Sequence, residues 1–167
     1  MENQKIELHR VVVTAIIVKD GKFLIARRGL HKRVQPGMWG VPGGGMELDD
    51  YLNTPKTLGD CWYFAIEKTL KREVMEEVGV EITNNIRLIA NNTFYHTKGH
   101  FVLAIVFLCQ YKSGTSQALE DTINVAWISP QELDNYQFPP NVKDYIAKGF
   151  AILPFMSGNK NKSGKRK

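Results

Sequence analysis

The segment Arg72-Glu73-Val74-Met75-Glu76-Glu77-Val78-Gly79-Val80 carries the most informative chemistry in the chain. Each residue of an α-helix advances by about 100°, so Glu73, Glu76 and Glu77, spaced i, i+3 and i+4, fall on one face. Three carboxylates held this way repel one another unless positive charge sits among them. Hard divalent cations such as Mg²⁺ suit that place, because carboxylate oxygens bind them and they are often shared with substrate phosphates. Arg72, four residues before Glu76, can orient carboxylates by charge-assisted hydrogen bonds. An arbitrary helix with such a face is more often a solvated surface carrying an intrahelical ion pair. The surrounding residues therefore decide the reading.

The acidic face needs a helix, and the pattern supplies one from about Cys61 to Val78, with Gly79 as its C-terminal stop. Ile66, Leu70, Val74 and Val78 recur every four residues and form an apolar stripe that can pack on a sheet. Upstream, the apolar run Val11 to Val18 and the run Phe23 to Ala26 flank Asp20-Gly21, a strong hairpin signal. A basic, turn-rich segment from Arg27 to Gly37 leads into Met38-Trp39-Gly40-Val41-Pro42 and Gly43 to Gly45, read as loop on either side of a short strand. Further strands are expected near Ile86 to Tyr95, Phe101 to Tyr111 and Asn124 to Ile128. Ser129-Pro130-Gln131-Glu132 opens a short helix, and a last helix begins after Pro139-Pro140-Asn141 and runs to about Phe150. Mixed strands and helices without an internal repeat predict an α/β layered domain.

The 167 residues, 43% hydrophobic and 23% charged, suit one domain over residues 1–153 followed by a basic, disordered tail at 154–167. The net charge of +5 belongs to that tail: without Lys160, Lys162, Lys165, Arg166 and Lys167 the chain carries 17 basic and 17 acidic side chains. A neutral body argues against a nucleic-acid-binding surface. No long apolar run and no secretory signal are read, so a soluble, cytoplasmic protein is expected. Cys61 and Cys109 form neither a disulfide framework nor a zinc site, and Cys109 lies in the apolar run FVLAIVFLC.

Trp39-Gly40-Val41-Pro42-Gly43-Gly44 followed by Arg72 to Val80 resembles the signature of the Nudix, or MutT-type, hydrolases. Gly44 matches the opening glycine of that signature, and Arg72 to Val80 matches its second half without a gap. The likeness extends to Arg27-Arg28, Trp127-Ile128-Ser129 and Phe138-Pro139-Pro140-Asn141, and so covers most of residues 10–150. The chain departs from the pattern at Asp50, where glutamate is usual, and in the 21 residues between Asp50 and Arg72, where seven are usual. The excess implies an insertion at about 51–65, expected beside the substrate and able to shape specificity through Tyr51, Trp62, Tyr63 or Phe64. The changed spacing leaves no expectation that Asp50 braces the loop.

The resemblance implies an α/β/α sandwich with a mixed β-sheet and Mg²⁺-dependent cleavage of a phosphoanhydride bond, with Mn²⁺ a substitute metal. It implies metal binding by Glu73, Glu76 and Glu77 and by the backbone carbonyl of Gly43, with Glu73 or Glu76 as base and Arg72 in the catalytic set. An additional acid from the loop before Trp127 falls on Glu120 or Asp121, with Glu120 preferred; the alternative is a pair of solvated carboxylates. Arg27, Arg28, His31, Lys32 and Arg33 either contact phosphates or form a solvated basic loop. Asn141 either reads a purine or caps the last helix, the cap being favoured. Tyr95 and His96 lie where some relatives stack a substrate, although strand-end aromatics are ordinary packing.

A nucleoside triphosphate, normal or oxidised, is the first substrate expected. ADP-ribose, nucleotide sugars, dinucleoside polyphosphates and RNA 5′ ends follow within the same chemistry. The expected partner is thus a small nucleotide and not a membrane, and a homodimer stays open. Two other readings are a non-enzymatic nucleotide sensor, which loss of the acidic set would favour, and an isoprenoid diphosphate isomerase, which would need an active-site cysteine and has only Cys61 to offer.

Overall fold

The structure is a computed structural model that describes residues 7–96 and 99–156. Strands β1 (His9–Lys19) and β2 (Lys22–Arg28) form the expected hairpin, with Lys19 opposite Lys22. Asp20 and Gly21 have φ of 50° and 75°, the pair of left-handed residues that a two-residue turn between twisted strands requires. The hairpin strands stay bonded only near the turn. Beyond it β3 (Trp39–Gly40) bonds to Ala26 and Arg27 of β2, and β4 (Gly43–Gly45) bonds to Val12–Thr14 of β1. The other edge of β2 bonds to β7 (Thr122–Ile128), and the other edge of β1 runs parallel to β6 (His100–Gly114). β5 (Val80–His96) closes the sheet antiparallel to β6.

The alternation along β1 and β2 divides the core in two. Val13, Ala15, Ile17, Leu24 and Ala26 meet Leu70, Val74 and Val78 of helix α1 (Ala65–Val78) on one face. Ile16, Val18, Phe23 and Ile25 meet Tyr145 and Ile146 of helix α2 (Pro140–Met156) on the other. This is the α/β/α sandwich with a mixed sheet expected from sequence. Both faces of β1 and β2 are buried, so a slip of one residue would exchange the two cores, and the register is firmly set.

Several boundaries differ from expectation. The three glycines form β4, because the parting of β1 and β2 leaves Val12–Thr14 in need of a partner. Helix α1 starts at Ala65, since Phe64 is left-handed at φ 62° and ends the preceding segment. The residues that extended the helical pattern towards Cys61 instead belong to a self-packed knob. There Trp62 Nε1 donates to the Thr54 carbonyl at 2.9 Å, the Tyr51 ring meets Trp62 edge-on, and Leu58 bridges Cys61. β5 begins at Val80, six residues early, because register shifts between Ile82 and Ile86 hide its alternation. α2 continues past Phe150 to Met156, into the segment expected to be tail; residues 157–167 of that expectation lie outside the described residues. The helix expected at Pro130 is a 3-10 segment, Pro130–Asn135, whose Glu132 carboxylate accepts from the Ser129 N–H at 2.8 Å. Cys109 is buried and Cys61 exposed, both free. No helix among the described residues is long and apolar enough to cross a membrane.

Candidate active site

α1 lays its apolar stripe on the sheet and turns its acidic edge towards β4. At the centre of that edge Arg72 has every N–H engaged. Its Nε donates to Asp50 Oδ1 at 2.6 Å, and Nη2 donates to Asp50 Oδ2 at 3.0 Å and to the Gly45 carbonyl at 3.1 Å. Nη1 donates to Glu73 Oε1 at 2.9 Å and Glu76 Oε2 at 2.8 Å. One side of a planar, five-donor group is thus anchored in the scaffold while the other holds two of the predicted carboxylates. The bond to Asp50 raises the guanidinium pKa above its ordinary value.

Asp50, whose role the changed spacing put in doubt, anchors Arg72. It ends a 3-10 turn, Leu48–Asp50, and is buried. Burial alone would raise its pKa, but Arg72, the Glu47 N–H and the Thr69 hydroxyl outweigh it and hold the carboxyl at about 2. The insertion does not pull Asp50 away, because the knob folds on itself and returns the chain to α1. Thr69, fully buried, went unnoticed; the available signal was a lone hydroxyl on the flank of an apolar stripe.

Glu77 is held differently. Its Oε2 accepts from the Gly43 N–H at 2.9 Å, and burial pushes its carboxyl up to about 7, with the charges of Glu73 and Asp121 adding to the rise and that of Arg28 opposing it. Glu73 is also raised, first by burial. Gly43 has φ 153°, and a Cβ there would lie 2.2 Å from the Val13 carbonyl oxygen. A Cβ on Gly44 would lie 2.4 Å from Glu73 Oε2. The glycines therefore let the backbone close on β1 while Glu73 lies flat against it.

The loops bring the remaining predicted residues to different ends. Arg27 Nε donates to the Gly37 carbonyl at 2.9 Å and Arg28 Nε to the Val34 carbonyl at 3.2 Å, so both brace the basic loop. His31 and Lys32 pair with Asp121, and Thr122 Oγ1 donates to the Glu77 carbonyl at 3.0 Å, which seats this loop on the end of α1. Asp121 acts on Glu77, whereas Glu120 is exposed, left-handed at φ 42°, and tied to none of the helix glutamates among the described residues. Asn141 does not cap α2: the helix begins at Pro140, and the Val142 and Lys143 N–H groups bond to the Pro139 carbonyl. Asn141 sits exposed inside the first turn. Tyr95 is exposed and packs edge-on against Phe101, as strand-end packing would have it.

The family model described as the NUDIX domain matches residues 8–148. The chain belongs to the Nudix family. It is 31% identical over 128 residues to a MutT-like protein of Streptomyces ambofaciens, a match spanning 75% of this chain and 68% of that one. It is 25% identical over 138 residues to the nucleoside triphosphatase NudI of Escherichia coli K12, spanning 76% and 86%. Its fold is similar to the crystal structure of a MutT Nudix hydrolase from Burkholderia pseudomallei, with TM-score 0.64, 23% identity and coverage of 85% and 98%. The protein is accordingly a Nudix hydrolase, an enzyme acting on acid anhydrides.

The donor set of this Nudix site suits a hard divalent cation. Glu73 and Glu77 are acids clustered on one helix edge, both with pKa values raised first by burial, and the bare backbone at Gly44 makes room for the Glu73 carboxylate beside it. Among the described residues no three His, Cys, Asp or Glu side chains converge as a preformed cage, since Arg72 and the Gly43 N–H engage the glutamates. Mg²⁺ does not require a cage; it keeps several waters and takes one or two carboxylates together with substrate phosphates.

Proposed function

We propose that this Nudix hydrolase cleaves a nucleoside triphosphate, in a Mg²⁺-dependent reaction, to a nucleoside monophosphate and pyrophosphate. The observation that carries the reading is the acidic edge of α1, where Arg72 holds Glu73 and Glu76 beside the partly buried Glu77. Similarity to a MutT-like protein and to a nucleoside triphosphatase supports the substrate class. Glu73, Glu76 and Glu77 would hold the metal, with the Gly43 carbonyl and a loop acid, Glu120 or Asp121, as further ligands. Bound Mg²⁺ supplies neutralisation of phosphate charge and acidification of water. Glu73 or Glu76 takes the proton of the attacking water. The water oxygen bonds to phosphorus as the bridging P–O bond breaks, and its electron pair leaves with the departing phosphate. Arg72 keeps the catalytic carboxylate aimed, Arg27 and Arg28 bind the phosphates, and Asn141 reads the nucleobase.

The test is turnover of nucleoside triphosphates, oxidised nucleotides, ADP-ribose, nucleotide sugars and dinucleoside polyphosphates, with Mg²⁺ and with chelator, the products separated by chromatography. Metal-dependent release of monophosphate and pyrophosphate from triphosphates is expected. Turnover confined to another class would overturn the substrate assignment, and undiminished turnover in chelator would overturn the metal.

A further inference from the structure

We propose that Thr69 is a positioning residue for the hydrolysis: by locking the Asp50 carboxylate, it sets the angle at which Arg72 presents its two remaining donors to Glu73 and Glu76. The inference rests on the hydrolase reading above for its turnover readout alone.

Asp50 Oδ2 accepts from Thr69 Oγ1 at 2.8 Å, from the Glu47 N–H at 2.9 Å and from Arg72 Nη2 at 3.0 Å, while Oδ1 accepts from Arg72 Nε at 2.6 Å. Thr69 and Arg72 lie one turn apart on α1, so the helix grips the carboxylate at two points. That grip replaces chain proximity, because the knob of residues 51–64 separates Asp50 from the helix along the sequence. The Thr69 hydroxyl has one proton and two acceptors in reach, Asp50 and the Ala65 carbonyl at 3.0 Å. A helical threonine ordinarily turns to the carbonyl four residues back. Here the carboxylate is the stronger acceptor, and the hydroxyl donates outward from the helix.

Removing that donor leaves Asp50 Oδ2 with two of its three donors, the Glu47 N–H and Arg72 Nη2, and takes away the one side-chain contact by which α1 holds the carboxylate other than Arg72 itself. Arg72 must follow Asp50, because Nε and Nη2 are both bonded to it. In a planar guanidinium any tilt on that side moves Nη1 away from Glu73 and Glu76. The Thr69 hydroxyl bonds to Asp50 and the Ala65 carbonyl and to neither glutamate among the described residues, so its hydrogen-bonding effect reaches the reacting centre through Arg72.

Thr69→Val keeps the shape of the side chain and removes the hydroxyl; Thr69→Ser keeps the hydroxyl and removes the methyl. In the full chain Thr69→Val should lower kcat roughly tenfold, as loss of an outer hydrogen-bond partner does at metal sites, with KM within about twofold. Thr69→Ser should restore kcat to within about twofold of wild type. Without nucleotide, the ¹⁵N-resolved Arg72 Nε–H signal should be protected from exchange in wild type and Thr69→Ser and lose that protection in Thr69→Val. Unchanged kcat together with a protected Nε–H in Thr69→Val would overturn the proposal. So would equal impairment of both variants, which would mark packing by the methyl group as the cause. A wild type that turned over no nucleotide would defeat the hydrolase reading, and the exchange measurement would still decide the role of Thr69.

Discussion

Arg72 and Arg28 bring positive charge to one acidic cluster by opposite routes. Arg72 comes from the middle of a helix and has all five donors engaged by Asp50, Gly45, Glu73 and Glu76. Arg28 ends a strand, bonds through Nε to a carbonyl of its own loop, and acts on Glu77 through space. A saturated guanidinium cannot accept a phosphate without giving up a partner, whereas one bonded only through Nε still offers its forked end. The comparison separates an organising charge from a binding charge. The two residue types are identical, and only their partners distinguish them.

The comparison can be tested at four depths. Glu77→Gln removes the carboxylate on which Arg28 acts and which stands beside the two that Arg72 holds. A Coulomb term of about 4 kcal/mol at contact distance near a protein surface corresponds to a loss in kcat of about 10³. Circular dichroism should show the fold intact, and a variant keeping most of its activity would remove Glu77 from the site. Arg72→Lys keeps the charge and loses the planar fork, so kcat should fall about 10- to 100-fold with KM little changed. A fall in affinity alone would make Arg72 a binding residue after all.

The third test is pH. The Asp50 carboxyl is held at about 2, below its ordinary 3.8, so its contribution is complete above about pH 4 and is lost as pH falls towards 2. Urea unfolding at about pH 5 and about pH 2 should show wild type losing about 2 kcal/mol more than Asp50→Asn. Equal losses would mean that Asp50 does not anchor Arg72. The smallest effect is expected from Arg28→Gln, which should raise KM about tenfold, the worth of one charge-assisted hydrogen bond, and leave kcat within about twofold. A drop in kcat would erase the distinction between the two arginines.

Much of this arrangement was legible before the fold was known. The β1–β2 hairpin was announced by Asp20-Gly21, and the acidic face of α1 by the spacing of three glutamates, because both depend on residues a few positions apart. The roles of Asp50 and Thr69 were not legible, since they meet across a knob whose compactness rests on the Trp62 and Tyr51 contacts. The start of α1 was misplaced for a related reason: Trp62 continues the helical pattern while its ring packs on Tyr51 and its Nε1 bonds to Thr54, and the chain turns into α1 only after the left-handed Phe64. The strand at Gly43–Gly45 was hidden because glycine carries no β signal, and the strand exists only where β1 lacks its hairpin partner. Asn141 had the right residue type for a cap, but the chain had already turned into α2 at Pro140.

The position of Val13 bears on how the enzyme comes into being. It is bonded in register with Gly44 on one side and with Ile105, from the far half of the chain, on the other. The hairpin and α1 depend on nearby residues and can form early, whereas the parallel pairing of β1 with β6 must wait for a long loop to close. The backbone on which Glu73 rests is stitched to that same strand. On this topology catalytic competence is expected late in folding, once β1 has paired with β6.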